Sequence, residues 1–142
     1  MIKFILFFVP YSFMVTTRAV IKSLKPGRYC VIDDEPCRVL GVTTSHPGKH
    51  GGAKARLEAI GLFDNKRRSV VKPADAEIDV PIVEKKTGQI VAITGDSAQI
   101  MDMETYETFE SPIPDELKGQ IKQGGEVLYW VVMGRKMLMQ VK

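Results

Sequence analysis

The chain is poor in cysteine, in aromatic residues and in long apolar runs, and each shortage excludes a class of molecule. Its two cysteines, Cys30 and Cys37, cannot make a disulfide framework, and their spacing fits neither a CxxC redox pair nor a zinc knuckle. A reducing cytoplasm is the expected setting. No apolar run approaches the roughly 20 residues needed to cross a bilayer, so no membrane association is expected. The N-terminal run, Phe4 to Val9, stops at Pro10, and Ser12-Phe13-Met14 is not a small-x-small cleavage site. Catalytic groupings are missing as well. There is no carboxylate pair and no nucleophile with a base at a telling spacing, so an enzyme is not expected. His46 and His50 lack a nearby acidic or cysteine partner, so no metal is expected, and nothing implies a cofactor.

A large charge excess is also absent, with 20 Lys or Arg against 17 Asp or Glu, but the charge is unevenly placed. Residues 1–83 carry 13 basic and 8 acidic side chains, while residues 84–142 carry 7 and 9. Between Arg38 and Lys72 only Glu58 and Asp64 oppose eight cations. Such asymmetry predicts that the first half meets a polyanion. Hydrophobic residues make up 44% of the 142, and mean hydropathy is near zero, which suits one soluble domain or two small ones.

The most informative stretch is Ser45-His46-Pro47-Gly48-Lys49-His50-Gly51-Gly52-Ala53-Lys54. Cys37 to Thr44 precedes it, rich in β-branched and apolar residues. After it, Ala55, Leu57, Ala59, Gly61 and Phe63 alternate with Lys54, Arg56 and Glu58, the period of a half-buried strand. Two strands therefore flank a loop longer than the usual hairpin connection of about 2 to 5 residues. Gly48, Gly51 and Gly52 leave no side chains crowding Lys49, and Pro47 stiffens the approach, so an accessible ammonium is expected at the tip. A Walker phosphate loop does not fit. Six residues separate Gly41 from Gly48, His50 stands where Ser or Thr would meet magnesium, and a strand follows.

Pro47-Gly48-Lys49-His50-Gly51, with Ala53-Lys54 downstream, resembles the hypusine loop of the translation initiation factor 5A family, in particular its archaeal branch. Ser23-Leu24-Lys25-Pro26-Gly27, Val31 to Cys37 and Ile78-Asp79-Val80-Pro81 are similar to that family too, and the likeness covers roughly residues 14–142. The resemblance implies that Lys49 is modified to hypusine or deoxyhypusine by deoxyhypusine synthase, which transfers an aminobutyl group from spermidine. Pro47, Gly48, His50 and Gly51 would form the context the enzyme reads. It also implies a factor that binds the ribosome, through rRNA and peptidyl-tRNA, and promotes peptide bond formation at difficult sequences; the active form is expected to be a monomer. Lys54 and Arg56 would steady the loop on phosphates, and Arg67 and Arg68 are added on charge alone. His46, often lysine in archaeal relatives, and Gly52, histidine in eukaryotic ones, depart from the pattern but leave the Gly-Lys-His-Gly centre intact.

The expected fold class is all-β: an SH3-like barrel over residues 15–83 carrying the lysine loop, then an OB-fold barrel with one short helix over residues 84–142. Residues 1–14 are read as a disordered tail or a start-site error, with translation beginning at Met14. In the first half, Arg28 to Asp33 should turn through Asp34-Glu35-Pro36 into Cys37 to Thr44. Arg67 to Val71 and Ile78 to Val83 follow as strands. In the second, strands at Gln89–Thr94 and Ala98–Met103 meet at Gly95-Asp96-Ser97, and another lies at Glu107–Glu110. A helix is expected near Asp115 to Lys122, and a final hairpin turns at Gly134-Arg135. Tyr129 and Trp130 fall on opposite faces, so at least one belongs to the core, and the acidic balance of this half argues against tight RNA binding of its own. From a different functional class, the alternative is an unmodified SH3-plus-OB RNA-binding accessory protein of the ribosome.

Overall fold

In the computed structural model, residues 15–46 and 52–142 are described, and they divide into two compact units that part between Ile82 and Val83. Both are built almost entirely from antiparallel strands. Among the described residues no helix is long and apolar enough to cross a membrane.

The first unit holds β1 (Thr16–Val20), β2 (Tyr29–Ile32), β3 (Glu35–Ser45), β4 (Lys54–Gly61), β5 (Arg67–Pro73) and β6 (Glu77–Pro81). Strands β2-β3-β4-β5 form one sheet, β1 pairs with β6, and β6 lies against β2 so that the sheets curl around a common core. This is the expected SH3-like arrangement. The alternation read in the sequence is physical: Ala55, Leu57 and Ala59 are fully buried, while Lys54, Arg56 and Glu58 face outward. Burying Leu57 alone stabilises the unit by about 1.5–3 kcal/mol.

The first hairpin turns one residue earlier than the sequence suggested. Asp33 and Asp34 both take left-handed angles (φ 54° and 62°), Ile32 pairs with Glu35, and Pro36 already belongs to β3. Short polar side chains tolerate that region, and two such residues make the turn whose twist suits a hairpin. The register follows from Pro36, which has no N–H and occupies the non-hydrogen-bonded pair with Val31. Cys30 then faces Cys37 in the core, and both thiols are free. Burial pushes Cys30 up to about 12 and raises Cys37 as well, so neither is poised as a nucleophile.

The second unit is a five-stranded sheet, β11-β10-β7-β8-β9, from β7 (Val83–Thr94), β8 (Ser97–Asp102), β9 (Thr108–Pro112), β10 (Glu126–Val132) and β11 (Arg135–Val141). Strand β9 also lies against β11, so the sheet curls on itself in the expected OB-like arrangement. The long β7 serves two neighbours: residues 83–89 pair with β10, and residues 88–94 pair with β8. Gly88 stands at the crossover, where an added Cβ would lie 2.4 Å from Ile100 Cγ2. Only glycine lets the strands pass that closely.

The expected helix near Asp115 to Lys122 is instead a single 3-10 turn, Asp115–Leu117. Pro114 and the two acidic residues start it, but Lys118 already takes extended angles (ψ 132°) and Gly119 follows at φ +87°, so the chain leaves helical space after one turn. Leu117 still reaches the core.

Candidate functional site

Strands β3 and β4 stay paired up to Ser45 and Lys54, so the lysine loop is mounted on the end of a hydrogen-bonded ribbon. Pro47, Gly48, Lys49, His50 and Gly51 lie outside the described residues. Their flanks are firmly set. Ala74 N–H donates to Ala53 O at 2.9 Å, and Lys22 N–H donates to Ala74 O at 3.3 Å, tying the base of the loop to the 3-10 turn Ile21–Ser23.

The ribbon has an outer face with a definite cation pattern. A bulge at Leu40, between Val39 and Gly41, advances β3 by one residue, so Val39 and Val42 both point toward the core. The outward rows across β3, β4 and β5 are then Ser45-Lys54-Pro73, Thr43-Arg56-Val71, Gly41-Glu58-Ser69 and Arg38-Ile60-Arg67. Lys54, Arg56 and Arg67 therefore share one face, and Arg38 joins them. The sequence reading counted Arg38 in the basic cluster without naming it as a site. Its place between buried Cys37 and Val39 was the signal that could have found it.

Among the described residues of this face only Glu58 opposes the cations; its carboxylate accepts from Arg56 Nε at 3.3 Å. A hollow of about 260 Å³ lies among Arg56, Glu58, Arg67, Arg68 and Ser69. An exposed pair of this kind is worth little and exchanges readily for a stronger anion.

Arg68 is held differently. It pairs with Ala59 in register and turns toward the inner side, where its guanidinium forks onto Asp64 at 3.1 and 2.7 Å. Its side chain is 17% exposed. The fork holds the Asp64 carboxyl well below the usual carboxylate range and raises Arg68 further. Gly61 makes room for it, because an added Cβ there would lie 2.0 Å from Asp64 Oδ1. Arg68 thus lines the hollow while already committed to the Asp64 carboxylate.

In the second unit Tyr129 is the core aromatic: it is buried, and its ring lies 4.8 Å from that of Phe109. Its hydroxyl donates to the buried Asp102 carboxylate, which also accepts 2.8 Å hydrogen bonds from the N–H groups of Glu104 and Thr105. The Tyr129 hydrogen bond leads in lowering Asp102 to about 2, and burial with the same contact raises Tyr129. Trp130, on the other face, is half-buried, with Lys85 Nζ 5.3 Å from its ring centre. Met101, Met133, Met137 and Met139 are half-buried and Met103 is exposed, so they border the core rather than fill it. Among the described residues no group of three His, Cys, Asp or Glu side chains could hold a metal ion.

Residues 15–76 match the family model described as "Translation initiation factor 5A-like, N-terminal", and residues 82–142 match the one described as "Eukaryotic elongation factor 5A hypusine, DNA-binding OB fold". The translation initiation factor 5A of Pyrococcus horikoshii is 58% identical over 130 residues, which cover 89% of this chain and 94% of the relative. That of Methanothermobacter thermautotrophicus is 53% identical over 122 residues, 86% and 94% of the two chains. The solved structure of the eukaryotic translation initiation factor 5A from Methanococcus jannaschii superposes with a TM-score of 0.82 at 43% identity, covering 91% of this chain and 96% of that one. With both units matched by the family's models and curated relatives more than half identical over nearly their full length, the chain belongs to the translation initiation factor 5A family, whose members are translation factors.

Proposed function

We propose that this chain is a cytoplasmic, ribosome-binding translation factor that works as a monomer and carries hypusine or deoxyhypusine at Lys49. The observation that carries the reading is the mounting of the Pro47-Gly48-Lys49-His50-Gly51 segment on a paired ribbon whose outer face presents Lys54, Arg56, Arg67 and Arg38. A lysine with glycine on one side and His50-Gly51 on the other is open to a modifying enzyme. A lysine ammonium is protonated near neutral pH and a poor nucleophile until that enzyme's own site desolvates it. Deoxyhypusine synthase is the partner for this step: the aminobutyl carbon of spermidine leaves its secondary nitrogen for Lys49 Nζ, and 1,3-diaminopropane is released. The product is a longer arm with a second amine, suited to a narrow channel lined with phosphates.

The basic face would hold the factor on rRNA while the arm reaches the acceptor end of peptidyl-tRNA and favours peptide bond formation. The acidic second unit would fit by shape, with few phosphate contacts of its own. In this picture the chain is the substrate of an enzyme and does no covalent chemistry itself.

Peptide mass spectrometry across Lys49 on protein from the native host tests the reading, with an aminobutyl or hydroxylated aminobutyl addition expected. Lys49→Arg keeps the positive charge but cannot accept the group, and near-complete loss of function in the host is expected. A bare Lys49 in growing cells, or a Lys49→Arg strain with only the modest deficit of one lost phosphate contact, would favour an unmodified RNA-binding module instead.

A further inference from the structure

A hollow of about 660 Å³ in the first unit lies away from the arginine face, and Lys22, Leu24, Lys25, Arg28, Tyr29 and Val80 contribute to its walls. Its size is within the ~300–1,000 Å³ typical of sites for small organic groups. Of its three cations Lys22 is engaged, with Nζ 2.6 Å from Asp75. Lys25 and Arg28 have no acidic partner among the described residues.

The backbone fixes these two cations on one rim. Lys25-Pro26-Gly27-Arg28 is a tight turn in which Arg28 N–H donates to Lys25 O at 3.0 Å and Gly27 takes φ +91°. Proline then glycine at the two central positions is the combination a type II turn requires. Gly27 N–H donates to Val39 O at 3.0 Å and Val39 N–H to Arg28 O at 2.7 Å, so β3 anchors the turn on both sides. Two cations whose Cα atoms are held within about 7 Å can reach one phosphodiester or two adjacent ones. Below them lie the half-buried Tyr29 ring, Leu24 and Val80, a largely apolar wall.

We propose that this groove is a second RNA-contacting site, which takes one unstacked nucleotide of a single strand with its phosphate on Lys25 and Arg28 and its base against Tyr29. Cations beside an aromatic in a concave hollow suit a splayed base, which single-stranded RNA supplies and a duplex does not. The groove begins at Lys22, which the Ala74 link ties to the loop base. The inference rests on the RNA-binding part of the function proposed above and not on modification of Lys49.

The test uses the full chain made in a host without the synthase, so that Lys49 is bare throughout. A fluorescein-labelled 10-nucleotide oligouridylate is titrated by anisotropy across a salt series, with oligoglutamate as a competing polyanion. Lys25→Gln with Arg28→Gln should weaken binding at least tenfold at low salt. It should also reduce the salt slope by roughly 0.7, the value for one single-strand phosphate. Tyr29→Leu should weaken binding about tenfold, and Tyr29→Phe should restore it, since the stacking face remains. In the unaltered protein, 4-thiouridine in the probe should crosslink to the peptide containing Tyr29, a readout that needs no variant to fold. Unchanged affinity and slope in the double variant, a crosslink confined to the Arg56 and Arg67 peptides, or equal binding of oligoglutamate would overturn the proposal. Because the protein is unmodified, a bare Lys49 in the native host would leave this result standing, and failure here would leave the modification standing.

Discussion

Among its described residues the first unit closes its core with apolar side chains and two neutral thiols, and it keeps its carboxylates and cations at the surface. The second buries a carboxylate, Asp102, under the Tyr129 hydroxyl, and presents the more acidic surface. The difference separates two ways of using charge. Apart from Arg68, which is forked onto Asp64, the cations on this shell around an uncharged core can be changed one at a time with little effect on folding, so that surface is free to be shaped by a ligand. A carboxylate in the core ties stability to a single hydrogen-bonded cluster, and its neighbours cannot vary independently.

The largest expected effects lie in the cores. Leu57→Ala removes a fully buried side chain from the middle of β4 and should destabilise the first unit by about 2–5 kcal/mol, read from denaturant titration of amide signals belonging to that unit. A loss below 1 kcal/mol would mean that the first core is looser than its burial implies. In the second unit Tyr129→Phe keeps the ring against Phe109 but leaves a buried carboxylate oxygen without its donor. A loss of about 1–3 kcal/mol is expected, and a cost as small as that of an ordinary surface substitution would remove the distinction between the units.

Acid sharpens the contrast. Asp102 is held at about 2 in the folded protein, against about 3.9 when unfolded, so its contribution is complete above pH ~4 and lost as pH falls through about 2. The difference corresponds to on the order of 2 kcal/mol. Tyr129→Phe should flatten the dependence of the second unit's stability between pH 4 and 2. The Asp64 carboxyl of the first unit is also lowered, by Arg68, but it sits at the surface where water and salt screen it. Added salt should therefore weaken the acid response of the first unit and leave that of the second in place.

Where one face of a strand is buried and the other is wet, the sequence was easy to read, as along Lys54 to Gly61. It was harder where neighbours change along a strand. The run through β7 pairs with β10 and then with β8, and a bulge at Val91 reverses its facing, so no single alternation runs its length. The helix expected at Asp115 has its starting signals, but Lys118 already takes extended angles and Gly119 a left-handed one, and they stop it after a single turn. At the candidate site, residue type was legible and commitment was not. Arg67 and Arg68 look alike in a list of cations, yet adjacent positions on a strand face opposite ways, and Asp64, which engages Arg68, was visible only as an isolated acidic residue.

The smallest expected effects on folding, and the ones that bear most directly on the outer face, come from the exposed arginines. Arg56→Gln and Arg67→Gln should each leave stability within about 0.5 kcal/mol, since neither side chain supports the core. Each should also lower the salt slope of RNA binding by roughly 0.7–0.9, in proportion to one lost phosphate contact. Arg68→Gln should behave in the opposite way. It breaks the fork with Asp64 and leaves that carboxylate beside Cys37 without its cation, so it should lower the melting temperature while changing the salt slope little. Should Arg68→Gln instead reduce the slope as much as Arg67→Gln at unchanged stability, the fork would be a resting arrangement that RNA displaces, and the inward side of β5 would belong to the binding surface after all.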